Sequence, residues 1–360
     1  MQKNSLNLQE NSQISQENLQ ISQKNSTKII FMGTPSFAAR ILQELIDESK
    51  NSQNLQADKS QAKFDMVGVF TGEDKAFGRG GELKQSEVKA LTTAKLHQTP
   101  IFTPKTLKDE GVIKQIQGLQ PDFIVVAAYG KILPKAVLDA APCINLHASL
   151  LPKHRGASPI QHAILCGDEI SGVCAMLMNE RLDGGAVLAS ESLNIKDKRA
   201  NEVFEQMGEL AARLCVRVLR EFHTLKPTPQ DDGAASYCAK IKKSDGLVDL
   251  RDAREIYRKF LAFYPWPGVF LASGLKFIDI EFVENAGFGG KNSRVAAQNL
   301  ANLKANSQAG RILAVENSHF LLGCECGVLK IKALQESGKK VVSAKDYING
   351  KRLKVGDSLC

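Results

Sequence analysis

Apolar and polar positions along this chain follow two different rhythms, and the change between them comes after residues 223–236. Residues 1–26 follow neither: they are mostly Gln, Asn and Ser, with NSQISQE at 11–17 nearly repeated as NLQISQK at 18–24. Such a tail cannot bury enough apolar area to order itself. Ile14 and Ile21, a heptad apart, leave a short partner-docking helix as the alternative. The first rhythm begins at residues 28–32 (KIIFM), which read as a buried strand. Gly33-Thr34-Pro35 then predicts a turn into a helix, with Thr34 as cap and Pro35 at the first position. Phe37, Ile41, Leu42, Leu45 and Ile46 form one face of that helix.

Residues 49–63 are polar and read as a surface insertion. Residues 64–70, 122–128 and 143–146 are apolar runs of strand length. Strands alternating with helices imply an α/β unit with a doubly wound, mostly parallel sheet. A periodic helix over 200–222 closes it, and the Pro-containing stretch 223–236 reads as a linker. The second rhythm has period two: Ile278, Ile280 and Phe282 alternate with Asp279 and Glu281. Residues 311–334 add short strands broken at Asn317-Ser318 and Gly327, which predicts a small antiparallel barrel. Residues 285–309, rich in Gly, Asn and Lys, read as a mobile loop within it. Ser343-Ala344-Lys345-Asp346 resembles a capping box opening a last short helix. The expected division is therefore a tail (1–26), a catalytic domain (27–222), a linker (223–236) and a smaller second domain (237–360).

Composition changes this picture only modestly. The chain has 360 residues, of which 43% are hydrophobic and 24% charged, as in a soluble globular protein. With no signal peptide and no membrane-length apolar run, a cytoplasmic location with reduced thiols is expected. The formal net charge of +8 is a mild pointer to a polyanionic partner. Of the eight cysteines only Cys324 and Cys326 are close, and no second pair completes a zinc-type spacing, so no metal is expected.

The most informative segment is Asn145-Leu146-His147-Ala148-Ser149-Leu150-Leu151-Pro152, with Asp183 downstream in Leu182-Asp183-Gly184-Gly185. On a strand, Asn145 and His147 leave on the same face. An Asn amide donates to an oxygen that gains charge as a carbonyl becomes tetrahedral, which is worth roughly 3–4 kcal/mol of barrier. An imidazole donates to the same oxygen or passes a proton to a leaving group. A carboxylate keeps that imidazole charged, or relays a proton from an attacking amine. The trio fits direct acyl transfer between two substrates better than a covalent acyl-enzyme. The first turn lacks G-x-G-x-x-G, which argues against a dinucleotide cofactor.

Wider motifs carry a resemblance. Residues 29–35 (IIFMGTP), 143–161 (CINLHASLLPKHRGASPIQ), Gly167-Asp168-Glu169, Leu182-Asp183-Gly184, 237–250, 263–268 (FYPWPG) and 336–350 (ESGKKVVSAKDYING) together resemble the formyltetrahydrofolate-dependent formyltransferases. Among these the match is nearest to the bacterial members acting on methionyl-tRNA. It covers nearly everything past residue 27 apart from the two polar insertions.

The resemblance implies a Rossmann-like catalytic domain followed by a smaller OB-like β-barrel that binds tRNA. The formyl group of 10-formyltetrahydrofolate would pass to the amino group of methionine on initiator tRNA. Asn145 and His147 would stabilise the oxyanion, and Asp183 would assist proton removal from the amine. Ser149, Leu150, Leu151 and Pro152 match the folate-site segment. Arg79, in the stretch 70–83, matches the basic residue of a loop that enters the acceptor stem. A monomer is expected.

Two departures from the family stand out: Thr71-Gly72-Glu73-Asp74 replaces Thr-Gln-Pro-Asp, and Gly184-Gly185-Ala186 replaces Thr-Gly-Asp behind Asp183. The second removes a hydroxyl and a carboxylate, which bears on how folate is positioned.

Other readings compete with these. The same trio serves a different amine, such as that of a sugar nucleotide, or water; an RNA-binding module without catalysis is a third reading. His154 and His162 are expected at the surface or on a helix face, and Trp266 in core or interdomain packing. Lys153-His154-Arg155 would face the folate tail or tRNA. Lys240, Lys242, Lys243, Lys339, Lys340, Lys351 and Arg352 concentrate positive charge in the second domain.

Overall fold

The computed structural model describes residues 26–54, 63–77, 81–283 and 309–359. The tail up to residue 25, most of the first insertion, Arg79 and the loop 284–308 lie outside the described residues. Two compact units emerge. The first comprises Met1–Pro159, Ile170–Asn194 and Phe204–Cys238; the second comprises Ile160–Glu169, Ile195–Val203 and Ala239–Cys360.

Strands of the first unit are β1 (Ser26–Gly33), β2 (Lys63–Phe70), β3 (Lys75–Phe77), β4 (Glu82–Lys84), β5 (Ile101–Phe102), β6 (Phe123–Ala127), β7 (Cys143–His147), β8 (Arg155–Gly156), β9 (Ile170–Leu177), β10 (Val187–Asn194) and β11 (Tyr237–Cys238). Between them in sequence run helices α1 (Ser36–Asn54), α2 (Glu87–Lys95), α3 (Glu110–Gly118), α4 (Lys135–Leu138), α5 (Pro159–Cys166), which belongs to the second unit from Ile160 on, and α6 (Ala200–Glu221), which belongs to the first unit from Phe204 on. The main sheet has the order β10-β9-β7-β6-β1-β2-β5. Its strands from β7 through β5 pair in parallel, while β9 and β10 are antiparallel additions at one edge. Ile29–Met32 and all of β6 and β7 are buried, because helices cover both faces of the parallel part. That is why these strands read as unbroken apolar runs.

Helix α1 buries the expected face, Phe37, Ile41, Leu42, Leu45 and Ile46. Its start differs from the expectation. The first intrahelical bond runs from Ala39 N to the Pro35 carbonyl, so Pro35 and not Thr34 occupies the cap position. The Thr34 hydroxyl is buried and makes no hydrogen bond among the described residues. The helix also extends to Asn54, taking in the first residues of the polar insertion.

The second unit holds α7 (Ala253–Ala262), β12 (Val269–Phe270), β13 (Lys276–Phe282), β14 (Ile312–Val315), β15 (Phe320–Gly323), β16 (Val328–Gln335), β17 (Val342–Ser343) and α8 (Ala344–Lys351). Its antiparallel sheet has the order β12-β13-β16-β15-β14, with β17 on β16. The breaks at Asn317-Ser318 and Gly327 fall between strands, as expected. The alternation in β13 does not hold: Phe277 and Ile280 are the buried pair. Pairing to β16 shifts register on either side of Asp279, and such a bulge reverses which face a side chain takes. Trp266, expected in packing, is 56% exposed. Its neighbour Tyr264 carries the contact instead, with the Arg199 guanidinium 4.7 Å from its ring.

Candidate active site

Strand β7 places the site. It lies between β6 and β9, with Asn145 opposite Met176 and His147 opposite Cys174. Asn145 and His147 are 8% and 6% exposed, on one face of the strand. The parallel order turns around between β1 and β6, and ligands of open α/β sheets bind beyond the carboxyl ends of strands at such a point. Two buried hydroxyls at that edge, Thr34 after β1 and Tyr129 after β6, make no hydrogen bond among the described residues.

Asp183 comes from the β9–β10 connection, with a left-handed φ of 46°. Its Oδ1 accepts from Asn145 Nδ2 at 3.4 Å, and its Oδ2 accepts from the Gly156 backbone N–H at 2.8 Å. His147 Nδ1 is 3.8 Å from Oδ2, an electrostatic contact beyond hydrogen-bond range. The other ring nitrogen, Nε2, is 2.9 Å from the His154 carbonyl. A carbonyl only accepts, so Nε2 carries a hydrogen. In the neutral ring Nδ1 is then the free acceptor, and it faces the carboxylate.

The segment after β7 folds back tightly. Ser149 is fully buried, and its hydroxyl donates to the Lys153 carbonyl at 2.6 Å. The Leu151 N–H points at Cys174 Sγ, 3.3 Å away. Leu150, Leu151 and Pro152 are half-buried beside the catalytic candidates, with a cis bond before Pro152. The structure thus brings Asn145, His147 and Asp183 together and sets Ser149–Pro152 against them. Arg79 lies outside the described residues. The flanks of its loop pair as β3 and β4, with the Thr71 and Ser86 hydroxyls 2.7 Å apart and Lys89 Nζ 2.7 Å from Asp74 at its base.

Two expectations at residues 153–155 need correction. His154 is buried, in a left-handed conformation that lets its carbonyl meet His147. Arg155 does not face a ligand: it is 1% exposed and bonds to Gln230, Asp232 and Tyr237. Residues 223–236, read as a linker, also pack along the site. Thr228 bridges Val187, Ser236 accepts from His154 N, and β11 pairs with β8. Gln230 and the Gly156 amide are site neighbours that the sequence reading does not single out, and Arg155, expected beside the site, acts on Gln230 and not on a ligand. No local pattern marks them, because Gln230 and Gly156 are 74 residues apart in the sequence and meet only in the fold.

Cys238 also adjoins the centre, its thiol donating to the His154 carbonyl at 3.3 Å. Burial pushes this thiol up, and the Asp183 charge acts in the same direction. Among the described residues no group of three or more His, Cys, Asp or Glu is placed to hold a metal ion. No helix among them is long and apolar enough to cross a membrane.

The arrangement suits a carbonyl that becomes tetrahedral while an amine loses a proton. The Formyl transferase family profile matches residues 27–219, and that of the Formyl transferase C-terminal domain matches 240–352. The methionyl-tRNA formyltransferase of Campylobacter jejuni subsp. doylei is 53% identical over 92% of this chain and 99% of its own length. That of a Nitratiruptor species is 44% identical with the same coverage. Among solved structures, the sugar 3N-formyl transferase WlaRD superposes with a TM-score of 0.56 at 14% identity, over 87% of this chain and 99% of its own. HypX from Aquifex aeolicus, solved with tetrahydrofolic acid, gives 0.52 at 16% identity over 91% of this chain; the chain spans about half of HypX, 48%. These two likenesses concern the fold.

Proposed function

The chain belongs to the formyl transferase family, and from that premise we propose its reaction and the residues that perform it. It is a methionyl-tRNA formyltransferase by its relatives, moving a formyl group from a folate donor. The donor is 10-formyltetrahydrofolate and the acceptor is the free amine of methionyl-initiator tRNA. The amine attacks the formyl carbon, a tetrahedral oxyanion forms, and the C–N10 bond breaks as folate N10 takes up the proton that Asp183 removed from the amine.

One observation carries this reading: Asn145, His147 and Asp183 converge from β7 and the β9–β10 connection at the carboxyl edge of the parallel sheet. Asn145 Nδ2 donates to the oxyanion. His147, its Nε2 held by the His154 carbonyl, offers Nδ1 to the reacting centre. That nitrogen donates to the oxyanion only when the ring carries both protons, and otherwise accepts one. Asp183 takes the proton of the attacking amine. The unpaired hydroxyls of Thr34 and Tyr129 and the half-buried Leu150–Pro152 edge give folate polar and apolar partners. Arg79 engages the acceptor stem. The enzyme acts as a cytoplasmic monomer.

The deciding assay supplies 10-formyltetrahydrofolate and aminoacylated initiator tRNA and follows formyl-methionyl product. Asn145→Ala is expected to lower kcat by about 100-fold or more with KM little changed, as for loss of an oxyanion donor. Arg79→Ala should instead raise KM for tRNA. No product with active donor, or equal use of a sugar-nucleotide amine, defeats the assignment.

A further inference from the structure

The main chain of the loop bearing Asp183 is gripped by a side chain from a distant part of the sequence, Gln230, beside the contacts of Asn145 with Asp183 and of Arg181 with Asp232. The carbonyl oxygens of Asp183 and Gly185 both accept from Gln230 Nε2, at 2.8 and 2.7 Å. A primary amide has two N–H groups, one for each carbonyl. Its oxygen, Oε1, accepts from Arg155 Nε at 3.0 Å and from an Arg155 Nη2 at 2.8 Å. A guanidinium only donates and a backbone carbonyl only accepts. A single orientation of the amide therefore satisfies all four contacts. Turned over, it would set its NH2 against a guanidinium and its oxygen against two carbonyls.

Arg155 is fixed in turn. It is 1% exposed, and its Nη2 reaches Asp232 Oδ1 at 2.9 Å while its Nη1 reaches the Tyr237 hydroxyl at 3.4 Å. The next residue in the same strand, Gly156, donates its N–H to the Asp183 carboxylate. Strand β8 thus grips Asp183 twice, at the carboxylate through Gly156 and at the main chain through Arg155 and Gln230. A non-glycine residue at φ 46° needs such support, because the left-handed region is unfavourable to side chains.

We propose that Gln230, oriented by Arg155, is a positioning residue that holds Asp183 in reach of the attacking amine. This rests on reading Asp183 as the proton acceptor, so the test includes Asp183→Asn as a reference. The variants are Gln230→Glu, which keeps the partner for Arg155 but sets an oxygen against both carbonyls, and Gln230→Met, which removes both donors at similar volume. Steady-state kinetics with both substrates are read beside tetrahydrofolate affinity and Tm, which certify the fold of each variant.

Expected are kcat losses between about 10- and 100-fold, the range that a misplacement of order 1 Å produces, with both KM values within about threefold. Gln230→Glu should be the more damaged. Arg155→Lys, which keeps the charge without the fork, should fall between parent and Gln230→Met. If Asp183→Asn is inactive while both Gln230 variants keep kcat within about twofold, the positioning role is overturned and the Asp183 reading stands. A rise in KM at unchanged kcat overturns it equally. Should Asp183→Asn itself retain full turnover, the reading of Asp183 fails first. If the methionine variant does not fold, the glutamate variant decides.

Discussion

Single residues around Asp183 show which departures from the family pattern this site tolerates. A Cβ on Gly185 would lie 1.6 Å from the Leu177 carbonyl oxygen, so any side chain there displaces the loop. A Cβ on Gly184 would be 3.1 Å from Arg181 Cβ and 3.2 Å from its Nε, a tight fit against a flexible, exposed side chain. Gly185→Ala should therefore cost formyl transfer at least about 100-fold, whereas Gly184→Thr should stay within a few-fold; kinetics on the purified variants check this. Two wild-type rates would refute the close approach. Gly156, Asn145 and Gln230 hold the Asp183 carboxylate and its backbone directly. Thiol chemistry follows burial in the same way. Burial pushes the Cys143 and Cys174 thiols up, to about 12 and about 11, whereas Cys166 and Cys326 are exposed. At pH 8 the first two hold almost no thiolate, the reactive form. An alkylating reagent followed by peptide mapping should label Cys166 and Cys326 and spare Cys143 and Cys174 in the folded enzyme.

Elements were legible wherever one local rule decides, and illegible wherever a distant contact does. The spacing of Ser343 to Asp346 predicts a helix cap, and the Ser343 hydroxyl does accept from Asp346 N at 3.1 Å. Thr34 has equally good cap chemistry, but the chain turns into α1 one residue later and leaves its hydroxyl unpaired. The pair makes a controlled comparison. Ser343→Ala should lower stability by about 1 kcal/mol, the usual cost of a lost cap. Thr34→Val removes an unsatisfied buried hydroxyl and should leave Tm unchanged or raise it. Thermal melts of both variants decide; a loss at Thr34 as large as at Ser343 would contradict the cap assignment. Strands β6 and β7 and the Ile29–Met32 part of β1 are visible because burial on both faces demands continuous apolar runs, whereas β2, with Asp65 exposed, shows it only over its last residues. The face reversal in β13 is not visible, since it depends on a bulge set by the partner strand. The trio around β7 follows from its motif, but residues 223–236 resemble a tether because what fixes them is scattered: backbone bonds at Thr228 and Ser236 and the side chains of Gln230, Asp232 and Ser236. Polar spacing carries no periodic signal, so their role appears only when β8 and β11 are seen paired.

Over the whole molecule, charge separates the two substrates. Lysines and arginines exceed acidic residues by 47 − 39 = 8. In the second unit Lys240, Lys242, Lys243, Lys339, Lys340, Lys351 and Arg352 are all exposed, though Lys339 and Lys351 share Glu336. Each exposed cation is worth little alone. Against a polyphosphate chain the contributions combine, because every neutralised phosphate releases condensed counterions and adds roughly 0.7–0.9 to the salt slope of binding. A folate presents only a few carboxylates and no condensed counterion atmosphere, so its binding lacks that term. Raising salt from about 50 to 200 mM should therefore raise KM for methionyl-initiator tRNA by at least tenfold, if three or more phosphates are contacted, while KM for 10-formyltetrahydrofolate moves less than about twofold. A log–log plot of kcat/KM against salt for each substrate makes the measurement. Equal slopes for both would show that the basic surface is not where the tRNA binds, and would turn attention back to the acceptor end, Arg79 and the immediate surroundings of Asp183.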